Sequence, residues 1–490
     1  DSGRVSTVTA PGSKTWTLHY NALGQATRVD IPNGMNSLYA FDSLNRLTRI
    51  EHMDGSSVLD GFAYDLDDNG NILGIDQADG SEWDYEYDGR SRLTQAERFD
   101  TDGSTLLHRF SYTYDDADNL LTKAIYDAVA AVTTSTAFEY NGTMLTKSIQ
   151  GATQTTFAYD PKGRMTSKSD GTYSATYAYR YDDKLCFVTS DFPDEGNVSY
   201  TYGSDGKRRS RTAGGTTTRY RWDVGWNMLN EEDNLGNLTR THVMDSPLAQ
   251  VANVLADVAG TNPATGAYRY YGSDHLGSTR GLYDGGKSAL GGYEYTPYGE
   301  VYANSGSVAL EGLAAAFTGK PWDAAAQMYY FPYRWYSPSS ARWLTRDPLG
   351  MVDGPNVYGY VSCGPVRSFD PLGLLRDSVS NSLWVNLKET LSLISGTWWM
   401  TWNQIQSIWI NRLLPQLQLA VQKLNSLTTH LANLQRQLRL ERAQQCVNLE
   451  TIRKLERAIA ETKVSINDWN AFLEEVKRAQ DMLINMRLKL

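Results

Sequence analysis

Short runs of alternating polar and apolar residues recur along the first half of the chain. The run "SATYAYRYD" at 174–182 is typical, and its period of two is that of a β-strand with one buried face. Most runs end in an aromatic residue followed by Asp or Asn. These pairs recur every 19 to 27 residues, at Tyr20-Asn21, Phe41-Asp42, Tyr64-Asp65, Tyr87-Asp88, Tyr114-Asp115, Tyr140-Asn141, Tyr159-Asp160, Tyr181-Asp182 and Trp222-Asp223, with a degenerate Tyr202-Gly203.

A turn signal and a second strand-like run follow most of these pairs. In "YDPKGRMTSKSD" at 159–170, the Gly supplies the positive φ that a tight hairpin needs. Each repeat is therefore predicted to be a β-hairpin, which is too small to be stable alone and must stack on its neighbours. An ordinary antiparallel sandwich is the alternative, and the regular period favours a continuous strip of hairpins.

The pattern changes after residue 374. Apolar residues there recur at spacings of three and four, which predicts coiled-coil-like helices, and no Gly or Pro follows Pro415. The two rows are Leu417, Ala420, Leu424, Leu427, Leu431, Leu434 and Leu438, and Ile452, Leu455, Ile459, Ile466, Trp469, Leu473, Val476 and Leu483. The tail is predicted to be an all-α hairpin or small bundle.

The uncharged, Trp-rich stretch at 391–410 leaves two interpretations open. It is long enough to lie in a membrane interface or to insert as part of an assembly, although it is too polar for a typical membrane span. It is equally typical of an amphipathic helix that is buried against the leucine rows.

Composition divides the chain at the same point. All 31 Tyr and all but one of the 41 Gly precede residue 375. The tail carries 15 Lys and Arg against 10 Asp and Glu, a net charge of +5. Since the whole chain has a net charge of −10, the first part has a net charge of −15. Opposite charges indicate that the tail and the first part attract each other. The weak positive charge of the tail, without an arginine cluster, argues against nucleic acid as a partner.

The chain offers no candidate for a metal or a cofactor. Its three cysteines, Cys186, Cys363 and Cys446, lie far apart, and the six His are isolated. The N-terminus lacks a start Met and a leader pattern, from which we expect a fragment or a processed piece.

The tetrapeptide Asp-Pro-Leu-Gly occurs twice, at 347–350 and 370–373. Pro extends the residue before it and Gly permits a sharp turn, so both Asp residues are expected on similar turns. Two carboxyl groups that approach each other can share one proton and act as an acid and a base, as in aspartic proteases. The alternative is that both motifs are turns and nothing more.

The repeats resemble the YD repeat of the Rhs family, which is shared with the C component of Tc-type toxins and with teneurins. Three further stretches strengthen the resemblance: "YYGSDHLGSTRGLYD" at 270–284, "YEYTPYGE" at 293–300 and "FTGKPWDAAAQMYYFPYRWYSPSSARWLTRDPLG" at 317–350. The resemblance implies a mainly β protein, in which a hairpin strip spirals into a hollow shell that is closed by a plug and holds a C-terminal payload.

The resemblance also implies a self-cleaving aspartyl protease. Carried over by position, Asp347 and Asp370 form the catalytic pair, Arg334 is the nearby cation, and the bond between Leu374 and Leu375 is cut. The family usually has Asn-Asn-Pro before the second motif, whereas this chain has Cys363-Gly364-Pro365, which puts the supporting hydrogen bonds in doubt.

We therefore expect three domains: a YD-repeat β-shell at 1–265, a core-closing segment with the cleavage site at 266–374, and a helical payload or tail at 375–490. Ten to twelve hairpins give a strip on the order of 100 Å long, which wound once is too narrow for a folded tail. Further repeats before residue 1 are expected for that reason.

Three functions remain open, and in the last of them the tail is a chaperone-binding or delivery element and the effector lies elsewhere. The first is a bacterial polymorphic toxin whose shell holds and cuts off a helical payload that acts on membranes. The second is a secreted or surface scaffold or adhesin with a helical docking tail. For the toxin, we expect a single-turnover autoprotease without cofactors. Its partners would be its own tail and a membrane, delivery system or immunity protein, and it would be cytoplasmic before export.

Overall fold

The computed structural model describes residues 4–223, 225–245, 252–351, 353–374, 376–378 and 435. Val5–Ser380 forms one compact unit. The helical tail expected at 375–490, apart from residues 376–378 and 435, lies outside the described residues. Leu375, on the far side of the expected cleavage site, also lies outside them.

The segments of alternating polar and apolar residues form a single large sheet of 27 strands, which we call the wall. Its first half consists of β1 (Thr7–Ala10), β2 (Lys14–Tyr20), β3 (Ala26–Asp30), β4 (Met35–Phe41), β5 (Leu47–Asp54), β6 (Ser57–Leu66), β7 (Ile72–Gln77), β8 (Glu82–Tyr87), β9 (Leu93–Phe99), β10 (Leu106–Tyr114), β11 (Leu120–Asp127), β12 (Val132–Asn141), β13 (Met144–Gln150) and β14 (Thr153–Tyr159).

The second half consists of β15 (Met165–Ser169), β16 (Ser174–Tyr179), β17 (Leu185–Ser190), β18 (Val198–Tyr202), β19 (Arg208–Ala213), β20 (Thr216–Trp222), β21 (Met228–Glu232), β22 (Leu238–Met244), β23 (Val254–Ala259), β24 (Tyr268–Ser273), β25 (Thr279–Tyr283), β26 (Ala289–Tyr295) and β27 (Val301–Gly306). The sheet runs on through residue 265, where the repeat pattern of the sequence ends.

Every wall strand pairs antiparallel with the next strand in sequence. In β8 and β9, for example, Tyr85 lies opposite Ala96, and the register shifts at Tyr87, next to the turn. The same shift precedes most turns, because the aromatic residue of each repeat occupies a β-bulge. The predicted strip of hairpins is confirmed.

The Asp that opens a typical turn binds the turn's own backbone. Asp42 Oδ1 accepts hydrogen bonds from the amides of Leu44 and Arg46, at 2.9 and 2.8 Å, while Asp42 Oδ2 lies 2.7 Å from Arg46 Nε. The residue four positions after the Asp thus completes the turn through its side chain.

Two turns differ from the sequence pattern by two residues. The turn after β6 opens at Asp67, not at Asp65, since the amide of Asn71 donates to Asp67 Oδ1. The turn after β16 opens at Arg180, whose amide donates to the carbonyl oxygen of Lys184 at 2.9 Å. This turn has no Asp at its first position.

The aromatic residue of a repeat also bonds the preceding hairpin. Tyr87 donates its hydroxyl to the carbonyl oxygen of Ile72 at 2.7 Å, and the same bond recurs from Tyr20, Tyr114, Tyr140, Tyr179 and Tyr202. Because the acceptor is a backbone carbonyl near the previous turn, each hydroxyl ties two successive hairpins together.

The wall curls so that its first strands contact strands near its end, β23–β25. Trp16 and Met35 share a hydrophobic cluster with Ala256 and Tyr270, which lie in β23 and β24. Hydrogen bonds also join these two ends of the wall. Tyr268 donates to the carbonyl oxygen of Pro11 at 2.8 Å, and other donors join Asn33 to Asp284 and Lys287 to Asp54.

Residues 307–373, which we call the plug, pack on the aromatic face of the wall. The plug contains the small sheet β28 (Trp322–Asp323), β29 (Met328–Tyr330), β30 (Trp335–Ser337) and β31 (Arg342–Trp343), the strand β32 (Ser368–Phe369), which pairs with β33 (Asp377–Ser378), and three short 3₁₀ turns at Leu310–Gly312, Phe317–Gly319 and Val361–Cys363. Its Phe331, Tyr336 and Trp343 share one cluster with wall residues such as Phe110 and Leu145. The core therefore lies between the wall and the plug.

The described part of the chain is mainly β, as the sequence predicts. The alanine-rich stretch at 309–316 forms one 3₁₀ turn, at Leu310–Gly312. No helix among the described residues is long and apolar enough to cross a membrane.

Candidate functional site

The two Asp-Pro-Leu-Gly motifs form turns of the same kind. Asp347 Oδ1 accepts a hydrogen bond from the amide of Leu349 at 2.7 Å. Asp370 Oδ1 accepts hydrogen bonds from the amides of Gly373 and Leu374 at 2.8 and 2.9 Å. In each turn the backbone amides bind Oδ1, and Oδ2 points away from the turn.

The Oδ2 atoms of both residues lie beside one guanidinium nitrogen. Arg334 Nη2 lies 2.9 Å from Asp347 Oδ2 and 3.1 Å from Asp370 Oδ2. The two oxygens are therefore no more than about 6 Å apart, within the range where one carboxylate affects the ionisation of another. The three residues expected from the sequence are brought together.

Arg334 is itself fixed on two further sides. Its Nε donates to the carbonyl oxygen of Gly373 at 2.5 Å, and its guanidinium carbon lies 4.2 Å above the ring of Trp343. A cation over an indole face, away from water, is favourable and has one preferred orientation. The guanidinium group thus contacts both carboxylates and the backbone of the second motif.

The site is almost closed to solvent: the side chains of Arg334, Asp347 and Asp370 are 2%, 7% and 4% exposed. Burial raises the pKa of Asp347 to about 6, against the opposing charge of Arg334. Burial also raises the pKa of Asp370, again against Arg334. A buried pair with raised pKa values favours retention of a proton near neutral pH.

The expected cleavage site is held by the same carboxylate. Because the amide of Leu374 donates to Asp370 Oδ1, covalent geometry places the Leu374 carbonyl carbon only about 2.5 Å beyond that nitrogen. The backbone of the preceding residues is also fixed, since Tyr333 donates its amide to the carbonyl oxygen of Leu372 at 3.0 Å.

A small cavity of about 20 Å³ lies beside the pair. Arg334, Asp347 and Asp370 line it together with Trp343, Asp353, Gly359 and residues 361–363. A polar cavity of this volume has room for a single water molecule. The arrangement therefore combines two carboxyl groups, a cation and space for one water, and one of the carboxyl groups binds the amide of Leu374.

A strained turn forms one side of this cavity. Val361, Ser362 and Cys363 have φ values of 43, 51 and 62°. Three successive non-glycine residues in the left-handed region are rare, and the region is especially unfavourable for a β-branched Val. The turn carries the departure from the family pattern at Cys363, whose thiol contacts the carbonyl oxygen of Asp118 at 3.5 Å. Burial raises the pKa of this thiol, so it is a poor nucleophile.

The sequence did not indicate three groups around the site. Trp343 contacts Arg334 through its ring face, and an alternating aromatic pattern alone does not reveal such a contact. Lys320 is buried, which lowers its pKa to about 8, against the charge of Asp370. Lys184 belongs to the wall and reaches the plug at Pro332. No group of His, Cys, Asp and Glu in the described residues is arranged to hold a metal ion.

Comparison with known proteins gives the family. The sequence pattern of the teneurin YD-shell family matches residues 81–353. The chain belongs to the teneurin YD-shell family. The resemblance to YD-repeat proteins that the sequence indicated is thereby confirmed.

Curated relatives of this YD-shell protein include bacterial toxins. Toxin subunit YenC1 of Yersinia entomophaga is 26% identical over 430 residues, which cover 77% of this chain and 44% of YenC1. The tRNA nuclease WapA of Bacillus subtilis is 24% identical over 381 residues, which cover 68% of this chain and 15% of WapA. The YD-shell chain thus spans less than half the length of these relatives.

Solved structures share the fold. The crystal structure of TcdB2-TccC3 superposes with a TM-score of 0.59 at 22% identity, over 76% of this chain and 20% of that one. The Tc holotoxin pore of Photorhabdus luminescens gives 0.59 at 20% identity, over 74% of this chain and 20% of that one. At this identity the likeness concerns the fold alone.

Proposed function

We propose that this YD-shell protein is the shell part of a bacterial toxin and that it cuts its own chain once, between Leu374 and Leu375. The observation that carries the proposal is the bridge from Arg334 to Asp347 and Asp370. Asp370 also binds the amide of Leu374, the residue on the near side of the expected cleavage site. Its toxin relatives support the functional class.

The chemistry would be hydrolysis by a water molecule in the cavity beside the pair. Asp370 would accept a proton from the water while the water oxygen bonds to the Leu374 carbonyl carbon, and Asp347 would donate its proton to the carbonyl oxygen. As the tetrahedral intermediate collapses, the bond to the Leu375 nitrogen breaks. That nitrogen takes the proton from Asp370, and a hydroxyl of the intermediate returns one to Asp347.

The surroundings of the two carboxyl groups support these roles. Asp370 accepts backbone N–H bonds that stabilise its ionised form, as a base requires. Asp347, with a pKa raised to about 6, holds a proton more readily than an ordinary Asp. Arg334 would then stabilise the negative charge of whichever carboxylate is ionised.

Substitution of either carboxyl group tests the proposal. Asp347→Asn and Asp370→Asn keep the turn acceptor but replace a carboxyl group, which can gain and lose a proton, by an amide, which cannot, and each should leave the chain intact on a denaturing gel. Asp160→Asn is the matched control, because Asp160 opens another Asp-Pro-Xaa-Gly turn with the same backbone bonds. If either site variant is cleaved as fast as the control, the pair is not the protease.

Isotope labelling tests the bond and the mechanism together. Cleavage in water enriched in oxygen-18 should place one labelled oxygen in the new carboxyl group of Leu374, and the second fragment should begin at Leu375. A fragment with another N-terminus would contradict the proposed site. The rate constant should not depend on protein concentration, since the reaction is intramolecular.

We further propose that residues 375–490 are a helical payload that the shell holds until delivery, after synthesis in the cytoplasm and export by a secretion system. Expression of these residues alone distinguishes a toxin from a scaffold. Growth arrest that requires contact with a membrane supports a toxin, whereas harmless soluble oligomers support a docking tail.

A further inference from the structure

One turn of the wall departs from the repeat in a way that reaches the cleavage site. In a regular turn, the first residue is an Asp whose second carboxylate oxygen binds the side chain four positions later. Asp42 binds Arg46 in this way, and Asp88 binds Arg92. In the turn after β16 the first residue is Arg180, which pairs with Asp182 of the same turn, so Lys184, four positions after Arg180, has no first-position Asp to bind.

Lys184 instead reaches out of the wall. Its Nζ donates to the carbonyl oxygen of Pro332 in the plug at 2.7 Å. The ammonium group also lies 4.5 Å from the ring centre of Tyr333 and 5.7 Å from that of Trp226. The residue is only 9% exposed. Burial of an ammonium group is costly, so a lysine that only kept the surface soluble would not lie here.

The plug segment that Lys184 contacts carries the cation of the site. Pro332 lies two residues before Arg334, and the amide of Phe331 donates to the carbonyl oxygen of Arg334 at 3.1 Å, which closes the segment into a tight turn. Between them, Tyr333 binds the carbonyl oxygen of Leu372, one peptide before Gly373. One short turn thus joins Lys184, the guanidinium group and the backbone that leads to Leu374.

We propose that Lys184 is a positioning residue for self-cleavage: by fixing the Pro332 carbonyl from the wall, it sets the orientation of Arg334 and of the backbone at Leu372–Leu374. The proposal rests on the proposed self-cleavage. It makes cleavage depend on the contact between the wall and the plug, although none of the three site residues belongs to the wall. Lys184 itself touches no reacting atom.

The chain provides a close control. In the next turn Lys207 occupies the position of Lys184, four residues after the first residue of the turn. Its Nζ lies 5.1 Å from the ring centre of the same Trp226. Lys207 pairs with Asp205, within the wall. Lys184→Met and Lys207→Met therefore each remove one ammonium group beside one indole ring. Only the first removes a bond to the plug.

The full chain is made by translation in vitro, and its cleavage is followed on gels after transfer to buffers from pH 5 to 9. We expect Lys184→Met to slow cleavage by ~10-fold or more, which corresponds to the loss of about 1.4 kcal/mol of transition-state stabilisation. Lys207→Met should cleave at the wild-type rate. Equal rates for these two variants would overturn the proposal.

A second readout separates positioning from general stability. Asp347 faces Arg334, Asp370 and Asp353, and Arg334 lowers its pKa. If Arg334 is displaced in Lys184→Met, the fall in rate that marks the ionisation of Asp347 should move to higher pH. A slower reaction with an unmoved pH profile would mean that Lys184 only stabilises the shell, and would also overturn the proposal.

A further variant covers the case in which Lys184→Met does not fold, which circular dichroism would reveal. Lys184→Arg keeps a cation and a donor at the position, and it should cleave at least ~10-fold faster than the Met variant. If the two are equally slow, the bond to Pro332 does not matter. Failure of self-cleavage itself would appear differently, as cleavage of Asp347→Asn at the rate of Asp160→Asn.

Discussion

At the scale of single residues, two copies of one tetrapeptide have different surroundings. Gly350 and Gly373 both adopt left-handed φ values, of 75 and 77°. A Cβ at Gly350 would meet no atom of the described residues within 4 Å, whereas one at Gly373 would lie 3.2 Å from the backbone nitrogen of Arg334 and from Phe331 Cβ. The turn is shared, and only the second copy is packed against the cation.

This difference predicts unequal effects of the same substitution. Gly373→Ala should slow self-cleavage by ~10-fold or more, because the added methyl group pushes on the segment that carries Arg334. Gly350→Ala has the same backbone strain, on the order of 1–2 kcal/mol, without the contact, and should stay within about threefold of wild type. Comparable rates for the two variants would show that the packing at Gly373 is unimportant.

The raised pKa of Asp347 predicts a pH dependence. Asp347 must be protonated to act as the acid, and its pKa is about 6. The protonated fraction is high below this pH and falls tenfold for each pH unit above it. The cleavage rate constant should therefore fall about tenfold between pH 7 and pH 8. A rate that is constant or rises over this interval would contradict the assignment of Asp347 as the acid.

The sequence predicts the three site residues but not their setting. Arg334, Asp347 and Asp370 lie within 37 residues and belong to recognisable motifs. Lys184 lies some 150 residues earlier, and its role depends on Arg180, which occupies the position where a regular turn has its first Asp. The left-handed turn at 361–363 could not be predicted either, since Val, Ser and Cys all disfavour that conformation and only the packed plug imposes it.

At the scale of elements, the hairpin is the unit that the sequence predicts best. Alternation, the aromatic residue and the turn glycine all indicate the same structure. The register of single turns is less certain, because Asp65 and Asp67 are both plausible first residues. Asp67 takes the position because the residue three positions later is Gly70, which adopts the left-handed φ of 78° that the turn needs, whereas the residue three positions after Asp65 is Asp68.

The tyrosine hydroxyls predict how firmly successive hairpins hold together. Tyr87→Phe removes the bond to the Ile72 carbonyl and should lower the free energy of unfolding by about 1 kcal/mol. Tyr173→Phe is the control, because Tyr173 is 37% exposed. Urea unfolding followed by tryptophan fluorescence measures both. An equal stability of the two variants would show that these hydroxyls do not contribute.

At the scale of the whole molecule, the wall closes on itself through side chains. The first strands contact β23–β25 through Trp16, Met35 and a few polar bonds, and the backbone pairing runs only between neighbours in sequence. The sequence predicts the approximate number of hairpins, and from that number a curled strip can be inferred. It does not show which strands meet, because that depends on the curvature of the whole sheet.

The fate of the tail is a prediction at this scale. Residues 375–490 carry +5 against −15 for the rest, and their Trp-rich stretch is an apolar surface if it is left in water. After cleavage, the two pieces should co-elute in native size-exclusion chromatography. Salt at 1 M, where the Debye length is about 3 Å, should not separate them. Release by moderate salt alone would show that the attachment is electrostatic.

The neighbour-to-neighbour pairing of the wall has a consequence for how the protein is made. Because every strand pairs with the one synthesised just before it, the contact order of the wall ladder is low, and hairpins can be added one by one as the chain leaves the ribosome. The plug is synthesised after the wall, and Asp370, the last of the three site residues, lies near its end. Only a chain whose wall is already in place can bring Lys184 to Pro332. Cleavage would then report that synthesis and folding of the shell are complete, and a truncated nascent chain would never be cut.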